Sequence, residues 1–379
     1  MSSVLTQEHI PTTEDVGGAV VGRTPWQLFW GRFRRDRVAI AGSILIIELV
    51  LIGFSAPLIS KWVGHGPNDF FRERRNVFGL PLGPDSKFWF GNDQIGRDLF
   101  VRVVYGARTS LTVAFVATGI SVLIGVILGV LAGFFGGWVD TLISRTIDIV
   151  MSLPLLLFAI GIAAACGVTA TGCLGGHIVV HGIAGIIAWA VAAGLLVMGA
   201  DQARRYGFAA GLSWLVGAAI VAVLHVGIPL PTIQPGMPLV IFIIALFNWF
   251  YIARIVRGQT LSLREREFIE ASRSMGAGNY RIMFQEILPN LAAPIIVYST
   301  LIIPANILFE AALSFLGVGI PQSTPSWGRM LSDASSSQLF TVAWWMMVFP
   351  GLFLLLTTLA FNLLGDGLRD ALDPRGGKR

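Results

Sequence analysis

Eight stretches of about twenty mostly apolar residues recur along the chain, near 38–60, 109–134, 142–165, 178–199, 208–228, 238–256, 291–316 and 341–364. Each is long enough to cross a hydrocarbon layer of roughly 30 Å as an α-helix. Lipid offers no partner for a bare N–H or C=O, so a spanning chain has to be a helical bundle or a closed barrel. Nothing alternates apolar and polar residues over many short segments, as barrel strands would. The expected fold is therefore all-α, a polytopic bundle of transmembrane helices. Only 13% of the 379 residues are charged and 54% are hydrophobic, whereas an ordinary soluble domain is roughly 25% charged.

The net charge of +5 does not point to nucleic acid, because the basic residues gather at the ends of the apolar stretches and not on one run. Residues 1–25 lack a basic start followed by an apolar core and read as a flexible cytoplasmic tail, with a second short tail at 376–379. Arg32, Arg34, Arg35 and Arg37 precede the first span and place the N-terminus inside. An even number of crossings returns the C-terminus to the same side, where Arg369, Arg375, Lys378 and Arg379 stand. The loops carrying Arg204 and Arg205, and Arg254 to Arg281, are likewise expected inside. The outer loops 166–177 and 229–237 carry no charge, while segment 61–108 breaks the rule with Lys61, Arg72, Arg74, Arg75, Lys87, Arg97, Arg102 and Arg108. It reads as an ordered extracytoplasmic element. Within span two, Gly125, Gly129 and Gly133 clear one helix face for a neighbouring backbone. Met151 to Pro154 predicts a kink in span three.

The polar stretch 257–289, RGQTLSLREREFIEASRSMGAGNYRIMFQEILP, is rich in helix formers. Arg264 to Glu267 open an amphipathic helix whose apolar members Phe268, Ile269, Ala271 and Met275 could face a partner. Gly276 and Gly278 allow a sharp turn, and a second short helix with Tyr280, Ile282, Met283, Phe284 and Ile287 is expected to end at Pro289. Periodicity alone leaves two readings, a helix pair lying on lipid or a knob docking into a soluble partner.

Glu270-Ala271-Ser272, then Gly276, then Ile287-Leu288-Pro289 resembles the EAA loop of bacterial binding-protein-dependent ABC importers. Ser272 stands where a second alanine is usual, and Ile287 directly adjoins Leu288. The stretches 91–114, 133–154, 313–331 and 361–375 resemble the C-type permease of the dipeptide/oligopeptide/nickel branch. The resemblance implies a type I importer permease fold with six core spans in the bacterial cytoplasmic membrane. It also implies a heterodimer with a sister permease, two cytoplasmic ATPase subunits fitted by the EAA loop, and an extracytoplasmic substrate-binding protein. No cofactor or metal is then bound by this chain; ATP and Mg belong to the ATPase subunits. Consistent with that division, no G-x-x-x-x-G-K-[ST] phosphate loop occurs in the sequence. Peptides are the expected cargo, although relatives also handle nickel, haem or glutathione.

Members of the family pass directly from the third core span to the span before the EAA loop, so residues 166–236 are an inserted transmembrane hairpin between core segments 26–165 and 237–375. Cys166 and Cys173 flank the loop at its start. Local helix packing leads there; a disulfide between the two cysteines is open, and a Cys/His site with His177 and His181 lacks a carboxylate and a standard zinc spacing. Among charges in the spans, Arg145 and Asp148 stand three apart and are expected to pair. Together with Glu310 they are candidates for the pathway or an interface. Proton coupling through Glu48 and Glu310 would make the chain a secondary transporter, a reading that the EAA loop disfavours. A membrane enzyme is weaker still, since HExxH and GxSxG patterns are missing.

Overall fold

The computed structural model describes residues 25–167, 234–336 and 341–372, and among them there is no strand, only two isolated bridges. The order is α1 (Pro25–Phe33), α2 (Arg37–Phe54), α3 (Ala56–Val63), α4 (Leu99–Phe135), α5 (Gly137–Ser152) and α6 (Leu155–Gly167). It continues with α7 (Met237–Arg264), α8 (Glu267–Ser274), α9 (Asn279–Phe315), α10 (Trp327–Ser336) and α11 (Trp345–Leu372). Helices α2, α4, α7, α9 and α11 are long and apolar enough to cross a membrane, and α5 with α6 counted as one bent crossing makes six. These are the six core spans expected outside the insertion. The two further spans near 178–199 and 208–228, with Cys173, lie outside the described residues.

Carboxylates start two of the spans. Asp36 accepts from the amides of Val38 and Ala39 at 2.9 and 3.1 Å, and Asp98 from those of Phe100 and Val101 at 2.9 and 3.3 Å. Such caps satisfy the orphan donors of a helix N-terminus. Because Asp98 caps α4 there, the helix begins ten residues before the expected span at 109 and runs for 37 residues, about 55 Å at 1.5 Å per residue. The kink expected in span three is a full break. Pro154 has no N–H and pushes Leu153 into an extended conformation, so α5 and α6 meet at 83°.

The glycines of α4 fall on its seam with α7. A Cβ on Gly125 would stand 2.6 Å from the Trp249 carbonyl oxygen, one on Gly129 2.7 Å from that of Ala253, and one on Gly133 2.6 Å from Thr260 Cβ. Deeper in the bundle, buried Asn248 of α7 donates to Asn306 of α9 at 2.8 Å, and Asn306 donates to Thr118 of α4 at 2.7 Å. Three helices are thereby tied by polar groups that lipid could not satisfy.

Segment 61–108 is ordered, and its chemistry accounts for three of the basic residues that break the inside rule. Arg97 pairs with Asp93 at 2.6 Å, and Arg74 with Asp85 at 2.6 Å. Buried Arg102 donates to the Pro67 and Gln322 carbonyls at 2.9 and 3.3 Å. Two indoles close the lobe over the bundle: Trp327 donates to the Val103 carbonyl and Trp345 to that of Asn92, each at 3.1 Å.

Adding one methyl to the seam tests its tightness. Gly129→Ala is expected to cost about 1–3 kcal/mol through overpacking and to lower the thermal midpoint of the detergent-solubilised protein. Gly119→Ala, with nothing within 4 Å of the new Cβ, is expected to leave the midpoint unchanged.

Candidate functional site

Between α7 and α9 the polar stretch forms a helix, a turn and a second helix. At the end of α8 the amide of Gly276 bonds the Arg273 carbonyl at 2.9 Å, and that of Ala277 bonds Ser272 at 3.0 Å. This pair of bonds is a Schellman ending, which places the residue after the cap in the left-handed region. Gly276 sits there with φ +84°, a conformation that costs side-chain-bearing residues about 1–2 kcal/mol. The second helix does not end at Pro289 as expected. Residues Ile282–Ile287 take a π turn, the Leu288 amide reaches back to the Met283 carbonyl, and the chain continues as one helix from Asn279 to Phe315. The proline that cannot donate thus falls in the first turn after the π segment, where it is tolerated.

The apolar residues of this hairpin divide between two faces. Ile269, Ile282, Ile287 and Leu291 are buried with Val130 and Phe134 of α4 and Ile252 and Val256 of α7. Sequence reasoning placed Ile269, Ile282 and Ile287 with the partner-facing group, and the structure moves them to the anchor. The other face carries Phe268, Ala271, Met275 (80% exposed), Tyr280 (73%) and Phe284, the last two with ring centroids 4.5 Å apart. Helical spacing already separates the sets, since Phe268, Ala271 and Met275 recur at three and four residues while Ile269 and Ser272 form the neighbouring stripe. Of the motif residues, Glu270, Ala271, Gly276 and Pro289 are exposed, Leu288 is half-buried, and Ser272 and Ile287 are buried. The Ser272 hydroxyl lies 3.5 Å from Glu286 Oε1 on the second helix.

Charged side chains at the foot of the loop, which the motif does not include, tie it to the α4–α5 junction. Arg264 donates to the last carbonyls of α4, Gly133 at 3.4 Å and Phe134 at 3.2 Å, a favourable place for a cation at a helix C-terminus. Arg257 grips Asp140 of α5 through two nitrogens, Nε and Nη2. Arg273 lies over the Phe134 ring at 5.8 Å. These bonds and the apolar anchor make the hairpin one body with α4, α5, α7 and α9.

The other candidates are scattered. Arg145 and Asp148 do not pair with one another; Asp148 turns across to Arg254 of α7 at 3.5 Å. A contact between neighbouring helices cannot be read from spacing on one of them. Glu310 is wholly buried inside the chain and accepts from the hydroxyls of Ser110 and Ser314, each at 2.8 Å, so it touches neither an outer face nor an open path. Cys166 is buried at the end of α6 against Leu239 and Val240.

If the left-handed glycine sets the hairpin, Gly276→Ala is expected to raise amide exchange across residues 267–287 by roughly tenfold, the factor for about 1.4 kcal/mol. Gly278→Ala, where φ is −73° and the Cβ would meet open space, is expected to leave exchange as it is.

Comparison with known proteins agrees with this architecture. Residues 125–377 match the family model described as binding-protein-dependent transport system inner membrane component, and residues 24–79 match the N-terminal TM domain of oligopeptide transport permease C. The chain is 35% identical to a dipeptide transport system permease protein from Alkalihalophilus pseudofirmus, over 98% of this chain and 96% of that protein. It is 34% identical to a glutathione transport system permease protein from Pectobacterium atrosepticum, over 93% of this chain and 92% of that protein. A glutathione transport permease from Escherichia coli is 35% identical, over 93% and 91%. A helical multi-pass bundle, a hairpin anchored between its long helices, and a family match over two thirds of the sequence lead to one conclusion: the chain belongs to the binding-protein-dependent transport system inner membrane components, as a non-catalytic permease subunit of an ABC importer.

Proposed function

We propose that this permease carries short peptides inward across the bacterial cytoplasmic membrane, paired with a sister permease, powered by two ATPase subunits and fed by an extracytoplasmic binding protein. The cargoes in the relatives' names, dipeptide and glutathione, are both small peptides with a free carboxylate and a free ammonium group. The single observation that carries the reading is the division of the hairpin into a buried anchor and an exposed apolar ridge of Phe268, Met275, Tyr280 and Phe284. An apolar ridge on a rigid base, flanked by Arg266, Glu267, Glu270 and Arg273, has the character of a docking knob with a polar rim. A lone interfacial helix would leave its apolar face toward lipid and would need no second helix braced against the bundle.

In this reading both termini and the hairpin are cytoplasmic, and lobe 61–108 lies outside, where the binding protein docks. Closure of the ATPase pair around ATP displaces the knob, and the displacement reaches α4, α5, α7 and α9 as a rigid-body change between two states. ATP and Mg stay with the ATPase subunits.

Met275→Asp is expected to weaken ATPase attachment by about thirtyfold, the loss of roughly 2 kcal/mol for a central contact, while the permease stays in the membrane. The check is co-purification from membranes expressing all subunits, followed by uptake of labelled dipeptide in proteoliposomes. Gly276→Pro, impossible at φ +84° because proline holds φ near −65°, is expected to abolish both. Normal uptake by either variant would refute the knob.

A further inference from the structure

Most of the side chains that stand exposed on the spans suit lipid: Val38, Ile47 and Leu51 on α2, Leu123 and Ile127 on α4, Leu355 on α11. The face shared by α5 and α7 is different. Behind it, Ile147 of α5 packs in a dry cluster with Trp249, Phe250 and Ala253 of α7. In front, Asp148 and Arg254 are 59% and 52% exposed although joined at 3.5 Å, and Arg145, one helical turn from Asp148, is exposed as well. Arg254 lies ten residues before the end of α7, about 15 Å along the helix axis, and therefore well inside the layer.

Two guanidinium groups thus stand on this face against one carboxylate, and Arg145 forms no ion pair among the described residues. A guanidinium cannot shed its proton to become neutral, so it does not rest against lipid tails within a span. Glu48, exposed on α2, differs in kind, because a carboxyl group in lipid neutralises itself by binding a proton.

From this face we infer, building on the peptide-import reading above, that Arg145, Asp148 and Arg254 line the aqueous translocation path and form a transient subsite for zwitterionic cargo. Arg145 takes the peptide carboxylate in a charge-assisted, two-pronged hydrogen bond. The ammonium end exchanges with Arg254 for Asp148, whose ion pair is exposed and therefore weakly held. Opposite charges one helical turn apart let one small molecule meet both signs while the path presents no net trap for either.

The test uses the complete transporter in membranes, with single cysteines at Arg145→Cys, Asp148→Cys and Leu123→Cys, a charged membrane-impermeant thiol reagent, and the unsubstituted chain as blank. Positions 145 and 148 are expected to react and position 123 to stay unlabelled. Failure of 145 and 148 to react with and without ATP would mean that the face is sealed against the sister permease, and would overturn the inference. The second measurement is uptake by Arg145→Gln. Its maximal rate for a free dipeptide is expected to fall roughly tenfold, the factor for one charge-assisted contact, at an unchanged half-saturating concentration set by the binding protein. A C-terminally amidated dipeptide should lose much less, and Arg145→Lys should restore part of the rate. Equal losses for free and amidated peptide would overturn the carboxylate assignment. If the wild-type transporter moves no peptide at all, the peptide reading fails, and cysteine labelling still decides separately whether the face is wet.

Discussion

The near contact of two backbones, α4 against α7, is the constraint on which the rest of the bundle turns. Apolar side chains draw no helices together in lipid, since the tails are as oily as they are. What remains is van der Waals contact, and Gly125, Gly129 and Gly133 bring it to the point where a Cβ would collide with the opposing carbonyls and side chains. At that separation Asn248, Asn306 and Thr118 come within hydrogen-bonding distance, and the cytoplasmic-end residues Val130, Phe134, Ile252 and Val256 form the floor on which the hairpin stands.

Much of this was legible because membrane spanning leaves strong marks in a sequence. Length and apolar content find the six core crossings, and a four-residue glycine spacing identifies the close seam. What was not legible concerns direction and partnership. The loop's apolar residues formed one group on paper and two opposed faces in space; the three- and four-residue spacings that separate them become decisive only once one face has a floor to lie on. Asp148 had a near neighbour on its own helix in Arg145 and chose Arg254 on another. At Pro289 the usual breaker is absorbed by a π turn, a register change that no local propensity announces.

Buried and exposed charges in the spans obey different rules. Glu310 has no cation beside it among the described residues; serine hydroxyls from α4 and α9 fill its hydrogen-bonding capacity, and it joins helices without facing anything outside the chain. Arg254 and Asp148 have each other and are still half open. The first arrangement belongs to internal packing and the second to a surface that needs polar company.

Helix α4 has a mechanical consequence of its own. Its first turns are fixed to the outer lobe by the Asp98 cap and the Trp327 indole, and its last carbonyls are held by Arg264 at the foot of the hairpin. A single unbroken rod of 37 residues therefore joins the two faces of the membrane with both ends clamped. Work done on one clamp is felt at the other without a relay of intermediate elements. Thermodynamic linkage then requires reciprocity: the free energy by which a ligand on the lobe biases the rod's position equals the free energy by which a partner on the hairpin alters the affinity of the lobe.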